Sequence, residues 1–193
     1  MQTSEKRIQT YISTILDELN LDFSDKNLKD TPKRITKMLQ NEFLSSVGKK
    51  LPEEHKTTFP NEGYDEIIML DNIPFTSLCS HHFLPFSGLS YLLYIPNEKL
   101  IGASKPARII DFYCKKPQLQ ENLGIEIMNA FMRIVKPSGA MLVMRAIHNC
   151  MSCRGVKTGL GAGMTTSITR GAFRSSPELE MKGLSLIQLS KEK

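Results

Sequence analysis

Apolar residues at three- and four-residue spacing predict helices in the N-terminal third of the chain. Residues 4–20 carry one such stripe, and a second begins after Thr31, a good N-cap residue that is followed by proline. Gly48 is well placed to end the second helix. Residues 49–63 are polar and contain prolines and a glycine, which predicts a loop or linker. The pattern therefore predicts an N-terminal helical extension with a linker over residues 1–63.

From about residue 64 the pattern changes to short apolar runs that are typical of β-strands. Strands are predicted at 67–70, 76–79, 86–95, 140–147, 164–169 and 184–189. Two helices are predicted between them, at 105–115 and 119–136. Strands grouped around a helix pair indicate the α+β class, with an antiparallel sheet that carries two helices on one face. We expect residues 64–193 to form this second domain.

Composition sets limits on the class of protein. The chain has 193 residues, of which 40% are hydrophobic and 23% charged, as in an ordinary globular protein with one core and a small extension. It has no apolar run of about 18 residues that could span a membrane. The N-terminus also lacks the apolar segment of a signal peptide. We therefore expect a cytoplasmic protein without a membrane partner.

The chain is mildly basic, with a net charge of +5 and a pI near 9.0. A solvated basic face, a cationic pocket for a phosphorylated small molecule and a nucleic-acid surface are all compatible with this charge. The sequence has no tryptophan, no arginine–aromatic repeat and no block of about five like charges. These absences disfavour a nucleic-acid partner.

Cysteine and histidine residues follow two of the predicted strands. Cys79 and His82 are separated by two residues, a spacing that lets both side chains reach one metal ion. Cys150 and Cys153 follow the strand at 140–147. If the two strands lie side by side, these ligands converge in a combination that suits Zn²⁺. A buried Cys-x-x-His pair without metal is also compatible with the first cluster.

Two kinds of zinc site fit these residues. A closed structural site would use four ligands: Cys79, His82, Cys150 and Cys153. An open site would use only the first three and leave the fourth position to a water, which zinc can convert to hydroxide near neutral pH. His81 and His148 lie beside the ligands and can transfer protons at physiological pH, which favours the open site.

Two further clusters could bind a substrate. Ser104, Lys105 and Arg108 open a predicted helix, and cations at a helix N-terminus suit phosphate, although a capped surface helix has the same pattern. The segment 118–121 begins the next helix with amides and a carboxylate, which could recognise the edge of a guanine. An acid in a first helical turn is also favourable for the helix alone.

Taken together, these clusters resemble the GTP cyclohydrolase I family from about residue 28 to about residue 184. The motifs that carry the resemblance are Asp30-Thr-Pro-Lys-Arg34, Cys79-x-His81-His82 with Pro85-Phe86, Ile101-Gly102-x-Ser104-Lys105-x-x-Arg108, Gln118-x-Gln120-Glu121, His148-x-Cys150, Arg154-Gly155 and Thr165-Thr166-Ser167. The chain departs from the family at Ser80, Asn122 and Ala103, where Glu, Arg and Leu are usual. None of these departures removes a proposed ligand or proton carrier.

The resemblance implies zinc-dependent hydrolysis of GTP to 7,8-dihydroneopterin triphosphate and formate, the first step of pterin and folate-type biosynthesis. The implied zinc ligands are Cys79, His82 and Cys150. A water in the open position would attack C8 of the guanine, with His148 as proton donor and His81 assisting. Gln120 and Glu121 would hold the guanine. The implied ribose and triphosphate ligands are Ser104, Lys105, Arg108, Arg154 and Arg34.

The resemblance also implies the tunnelling fold and an assembly of subunits. Family members form rings, usually two stacked pentamers, so we expect a homodecamer with sites built from neighbouring subunits. Two other functions remain compatible with the sequence. One is a related tunnelling-fold protein that acts differently on a purine or pterin, and Ser80 is its best support. The other is a non-enzymatic binding protein stabilised by the closed zinc site.

Overall fold

The computed structural model of the protein describes residues 3–159 and 161–191. Its N-terminal part contains α1 (Ser4–Glu18) and α2 (Thr31–Met38), and α2 continues into a π-helical turn over Leu39–Phe43. Asp30, not Thr31, is the N-cap residue of α2, so the expected helix start is wrong by one residue. The helical segment also ends before Gly48, which lies in the turn beyond it with a φ of +73°.

Residues 49–63 are more ordered than the predicted linker. They contain a short 3₁₀ helix (Glu53–Lys56) and the strand β1 (Thr58–Pro60). Strand β1 pairs antiparallel with β4 (Lys99–Ile101), and Leu51 is buried in the main core. The polar composition predicted a loop because a three-residue strand leaves almost no periodic signal. This segment is therefore attached to the strand-rich part of the chain along its length.

A second sheet of five strands forms the centre of the structure. In order across the sheet, its strands are β5 (Pro117–Gln118), β2 (Ile68–Cys79), β3 (Pro85–Ile95), β6 (Gly139–His148) and β7 (Met164–Gly171). All neighbours pair antiparallel except β5, which pairs parallel with the end of β2. The two strands predicted at 67–70 and 76–79 are one strand with an irregularity between Leu70 and Ile73.

The helices α3 (Lys105–Cys114) and α4 (Gln120–Val135) cover one face of this sheet. Their apolar side chains share a core with alternate sheet residues such as Leu92 and Tyr94, and the Tyr94 and Phe131 rings meet edge to face at 5.3 Å. The α+β class, with a mainly antiparallel sheet and a helix pair on one face, is confirmed. Among the described residues, no helix combines the length and apolar character needed to cross a bilayer.

The other face of the sheet is covered by the C-terminal region. Here α6 (Ala172–Ser175) and α7 (Pro177–Lys191) pack Phe173 and Ile187 against the second set of sheet side chains, which includes Leu93. The strand predicted at 184–189 is therefore wrong, because these residues lie within α7. The apolar residues at 184, 186, 187 and 189 fit both the two-residue period of a strand and the 3.6-residue period of a helix. Pro177 and the acids that follow it are typical of the start of a helix.

Candidate active site

The three expected metal ligands meet at one end of the sheet. Cys79 is the last residue of β2, and His82 lies in the turn that leads to β3. Cys150 lies in α5 (Asn149–Ser152), the single helical turn that follows β6. Strand β3 separates β2 from β6, but the turn before β3 brings His82 across to α5. As a result, one ligand atom from each of the three residues lies within 4.8 Å of the others.

The chemistry of these ligands fits a divalent metal ion. Cys79 is buried, Cys150 is half-buried and His82 is exposed, so the group is open to solvent on one side. Burial raises the pKa of the Cys150 thiol, and the adjacent Cys79 thiol raises it further. A cation between the two sulfurs reverses this preference because thiolate is the form that binds metal. Two thiolates and one imidazole are a combination typical of zinc sites.

Cys153 does not belong to this group. It is exposed, and its thiol donates a hydrogen bond to the backbone oxygen of Asn149 at 2.8 Å. Within the part of the chain that the structure describes, the group has three protein ligands and not four. Three is the number of protein ligands that the open site requires, whereas the closed site that the sequence also allowed requires four.

His148 is held in a fixed orientation beside the metal group. Its Nε2 lies 2.8 Å from Oε1 of Gln120, and its ring stacks on Phe86 at a centroid distance of 4.6 Å and an angle of 2°. An amide oxygen only accepts hydrogen bonds, so Nε2 carries the proton and Nδ1 is the nitrogen left for other partners. Burial lowers the pKa of His148, and the charge of Glu121 opposes this effect.

Gln120 is fully buried and its polar atoms are all engaged within the protein. Its Nε2 lies near the backbone oxygens of Met144 (3.1 Å) and Met164 (3.3 Å) and the hydroxyl of Thr166 (3.1 Å). The two carbonyl partners identify Nε2 as the nitrogen, because a carbonyl can only accept. Direct contact between Gln120 and a guanine would require breaking these bonds. Its contacts instead favour a role in orienting His148.

Three further polar side chains near the metal group are exposed. His81 Nδ1 lies 3.9 Å from Sγ of Cys79. The Arg154 guanidinium donates to Nε2 of His82 at 3.1 Å, which places a positive charge beside the metal group. Glu121 is exposed at the start of α4. These positions leave His81, Arg154 and Glu121 accessible to a substrate.

A cavity of about 310 Å³ joins these residues. It is lined by Cys79, His81, His82, Gln118, Leu119, Gln120, Glu121, His148, Cys150, Met151 and Met164. Five expected substrate ligands are not among them: Ser104, Lys105, Arg108, Arg34 and Arg154. Arg154 differs from the other four because it contacts His82, which lines the cavity. Lys105 and Arg108 lie in α3, whereas Arg34 lies in α2 with its guanidinium 4.0 Å from Asp30. One chain therefore brings together the metal ligands and the guanine side of the site, but not these four residues.

The structure adds two residues to which sequence reasoning gave no role, and a third, Gln118, from the segment 118–121 that was considered for the guanine. Phe86 stacks on His148, Thr166 contacts Gln120, and Gln118 lines the cavity. Gln118 is buried, and its Oε1 has no hydrogen-bond partner among the described residues. All three lie in motifs that carry the family resemblance, which was the available signal. The stacking of Phe86 depends on the register in which it pairs with His148, and sequence alone does not give that register.

Comparisons with known proteins identify the family of this chain. The sequence profile described as GTP cyclohydrolase I matches residues 8–188. Proteins named GTP cyclohydrolase 1 include one from Carboxydothermus hydrogenoformans (36% identical, covering 95% of this chain and 94% of that protein) and one from Streptococcus mutans (34%, covering 97% and 96%). Another, from Coxiella burnetii, is 38% identical and covers 94% of this chain and 97% of that protein.

A solved structure of the archaeosine synthase QueF-Like in the apo form is a more distant match. It aligns with a TM-score of 0.47 and 14% identity, covering 58% of this chain and 98% of that one, and no conclusion rests on it. The profile match and the full-length relatives decide the assignment, since both extend over nearly the whole chain. This chain belongs to the GTP cyclohydrolase I family of enzymes.

Proposed function

We propose that this chain hydrolyses GTP to 7,8-dihydroneopterin triphosphate and formate with the aid of a zinc ion. The observation that carries the proposal is the group of Cys79, His82 and Cys150 beside His148 in one cavity, in a chain of this family. A three-ligand group leaves a coordination position for water, which a structural site does not. The alternative of a purely structural zinc site loses its main support, because Cys153 lies outside the group.

Cys79, His82 and Cys150 would hold the zinc ion. A zinc ion bound there supplies Lewis acidity, which makes a water nucleophilic near neutral pH. This is needed because C8 of a guanine is a poor electrophile. The open side of the group, at the exposed His82, faces the cavity and gives a substrate access.

His148 would supply the proton that ring opening requires. Nε2 of His148 is hydrogen-bonded to Gln120, so proton transfer to a guanine ring nitrogen would take place at Nδ1. The stacking on Phe86 restricts the ring to one plane, which reduces the orientational freedom lost in the reaction. His81 is exposed beside Cys79 and would act as an assisting proton carrier.

Glu121 would bind the guanine. Its carboxylate is exposed at the cavity and can accept hydrogen bonds from N1–H and from the exocyclic amine. Gln120, which the sequence placed in the same role, would contribute indirectly through His148. The guanine contact would therefore depend on Glu121 and on backbone groups of the cavity wall.

Arg154 would contact the triphosphate, since it already lies beside His82. The other expected phosphate and ribose ligands, Ser104, Lys105, Arg108 and Arg34, would come from neighbouring subunits of a homo-oligomer, a decamer of stacked pentamers with the tunnelling fold. The site of one chain is short of cations for a tetra-anionic substrate, which supports this arrangement. The short edge strand β5 also leaves an unpaired edge that a partner could cover.

Two further parts of the proposal concern organisation and location. We keep the division into an N-terminal extension (1–63) and a catalytic domain (64–193), although β1 ties the extension to β4. A cytoplasmic location fits the metal site, because the thiols of Cys79 and Cys150 are free and a reducing compartment keeps them so.

The fate of GTP with purified, metal-analysed protein tests the proposal. We expect dihydroneopterin triphosphate and formate to form together, and a chelator to stop both. His148→Ala should keep the bound zinc and lose most turnover. Formate without pterin closure, or binding of GTP without reaction, would move the function to a related purine or pterin protein. Zinc binding without any affinity for GTP would indicate a non-enzymatic protein.

A further inference from the structure

A second cavity, of about 340 Å³, lies at the C-terminal end of α3. Five of the side chains that line it are basic: Lys49, Lys50, Lys56, Lys116 and Arg133. No residue that lines this cavity also lines the cavity at the metal group. The proposed reaction therefore gives these five cations no role.

The fold brings these cations together from four separate parts of the chain. Lys49 and Lys50 lie in the loop after α2, Lys56 in the 3₁₀ helix, Lys116 after α3 and Arg133 in the last turn of α4. Cations along one exposed helix are common and need no ligand. These cations come from distant segments of the chain and converge in one cavity, so that explanation does not apply to them. Like charges held close together raise each other's electrostatic energy.

Only two of the five cations are neutralised by the protein. Lys56 pairs with Glu53 and Lys116 with Glu126, each at 2.5 Å. Among the described residues, Lys49, Lys50 and Arg133 form no ion pair. The local negative potential of the α3 C-terminus favours nearby cations, but its effect falls off within the last turn. An excess of about three positive charges therefore faces the cavity.

The walls of the cavity are held in place by packing and hydrogen bonds. The Ser46 hydroxyl donates to the backbone oxygen of Lys115 at 2.8 Å, which ties the loop carrying Lys49 and Lys50 to the end of α3. Leu51 is buried in the core directly after the two lysines. Phe112 and Tyr113 form an aromatic wall. The site is thus preformed, which lowers the cost of binding.

We propose that this cavity binds a small phosphorylated molecule with at least two phosphate groups. A concave, preformed site with an excess of positive charge concentrates multivalent anions. Its volume lies at the lower end of the range for small-molecule sites, about 300–1,000 Å³. A nucleic acid would need an extended basic surface and not a closed group of cations. Phosphate oxygens would replace the missing carboxylate partners of Lys49, Lys50 and Arg133.

The proposed anion site and the metal cavity are connected through Gln118. The Gln118 amide nitrogen donates to the backbone oxygens of Tyr113 (2.5 Å) and Lys116 (3.2 Å), two residues that line the cationic cavity. Gln118 itself lines the metal cavity. The segment 113–118 therefore contributes residues to both cavities. An experiment must separate them, because Arg154 offers a cation on the metal side.

Calorimetric titration of the full-length, zinc-loaded protein with fructose 1,6-bisphosphate tests the proposal. This probe carries two phosphates and no purine base. We expect saturable binding at low ionic strength, weakened by added salt. The triple variant Lys49→Gln, Lys50→Gln, Arg133→Gln should bind at least about tenfold more weakly. The matched control Lys37→Gln removes an exposed lysine of α2 and should bind as the unchanged protein does.

Arg154→Gln distinguishes the two sites. Under the proposal this variant binds the bisphosphate with unchanged affinity. Equal binding by the triple variant and the unchanged protein, or loss of binding in Arg154→Gln, overturns the proposal. Absence of saturable binding to the unchanged protein also overturns it. If the triple variant does not fold, Arg133→Gln alone should show an intermediate loss of affinity. None of these results depends on GTP turnover, so they stand apart from the test of the proposed reaction.

Discussion

Nε2 of His148 lies 2.8 Å from Oε1 of Gln120, and the amide nitrogen of Gln120 is fixed in turn by the Met144 carbonyl and the Thr166 hydroxyl. The first turn of α4 is thereby connected to β6 and β7 through one buried side chain. A histidine with Nε2 occupied in this way has Nδ1 left for other partners. We therefore predict that Gln120 is a positioning residue for His148.

Replacing Gln120 with methionine tests this role. Methionine keeps the length of the side chain but cannot accept from His148 or donate to the two carbonyls. We expect GTP turnover to fall by about 10- to 100-fold, because the proton carrier loses its fixed orientation. The free energy of unfolding should fall by about 1–3 kcal/mol for the unsatisfied buried groups. Zinc content should not change, since Gln120 is not a ligand.

Asn129→Ala is the matched control, because Asn129 is exposed on the same helix and should leave turnover and stability unchanged. A merely structural role for Gln120 predicts loss of stability without a specific loss of turnover in the folded fraction. That outcome, measured in steady-state assays corrected for folded protein by circular dichroism, would contradict the positioning role.

The metal site gives a prediction that compares two cysteines three residues apart. Cys150→Ser removes a thiol of the three-ligand group, so the purified protein should contain much less than one zinc per chain. Cys153→Ser removes a thiol that lies outside this group and donates a hydrogen bond to the Asn149 carbonyl, so zinc content and turnover should be retained. Inductively coupled plasma mass spectrometry on protein purified without added metal measures both. Loss of zinc in Cys153→Ser would restore the closed four-ligand site.

The sequence predicted best where an element is long and regular. Helix α4 and strands β3 and β6 were predicted within one or two residues, because each has an apolar pattern of at least eight residues. The residues of the group that could hold a metal ion were also predicted, since Cys-x-x-His is a short spacing with a clear chemical meaning and the family resemblance added Cys150.

Long-range contacts could not be predicted in the same way. The stacking of Phe86 on His148 follows from the β3–β6 register, and the bonds of Gln120 follow from the packing of α4 on the sheet. Sequence reasoning placed Gln120 against the guanine because an amide beside a carboxylate suits that ligand. The sequence alone did not indicate that the packing of α4 buries this amide and leaves Glu121 exposed.

Substitutions in α7 test whether residues 184–189 pack as part of a helix and not as the strand that the sequence predicted. In α7, Ile187 is buried against Phe173 and the second face of the sheet, whereas Leu189 is 61% exposed. Ile187→Ala should lower the free energy of unfolding by about 2–4 kcal/mol, because it leaves a cavity in the core. Leu189→Ala should change it by less than about 0.5 kcal/mol. Urea unfolding at one fixed protein concentration measures both, and equal effects would contradict the helical packing.

Gly171 connects β7 to α6 in a conformation that other residues rarely adopt. Its φ is +56° and its ψ is −134°, and a Cβ at this position would lie 2.2 Å from the backbone oxygen of Ser138. That oxygen accepts a hydrogen bond from the Ala172 amide at 3.0 Å, so alanine at 171 strains the backbone and disturbs the contact that starts α6. We expect Gly171→Ala to lower the free energy of unfolding by at least about 2 kcal/mol. Gly159→Ala is the control, because Gly159 is exposed, and a Cβ there would meet no atom within 4 Å among those described. A Gly171→Ala protein as stable as the Gly159→Ala protein in urea would show that the backbone at 171 relaxes into an ordinary conformation.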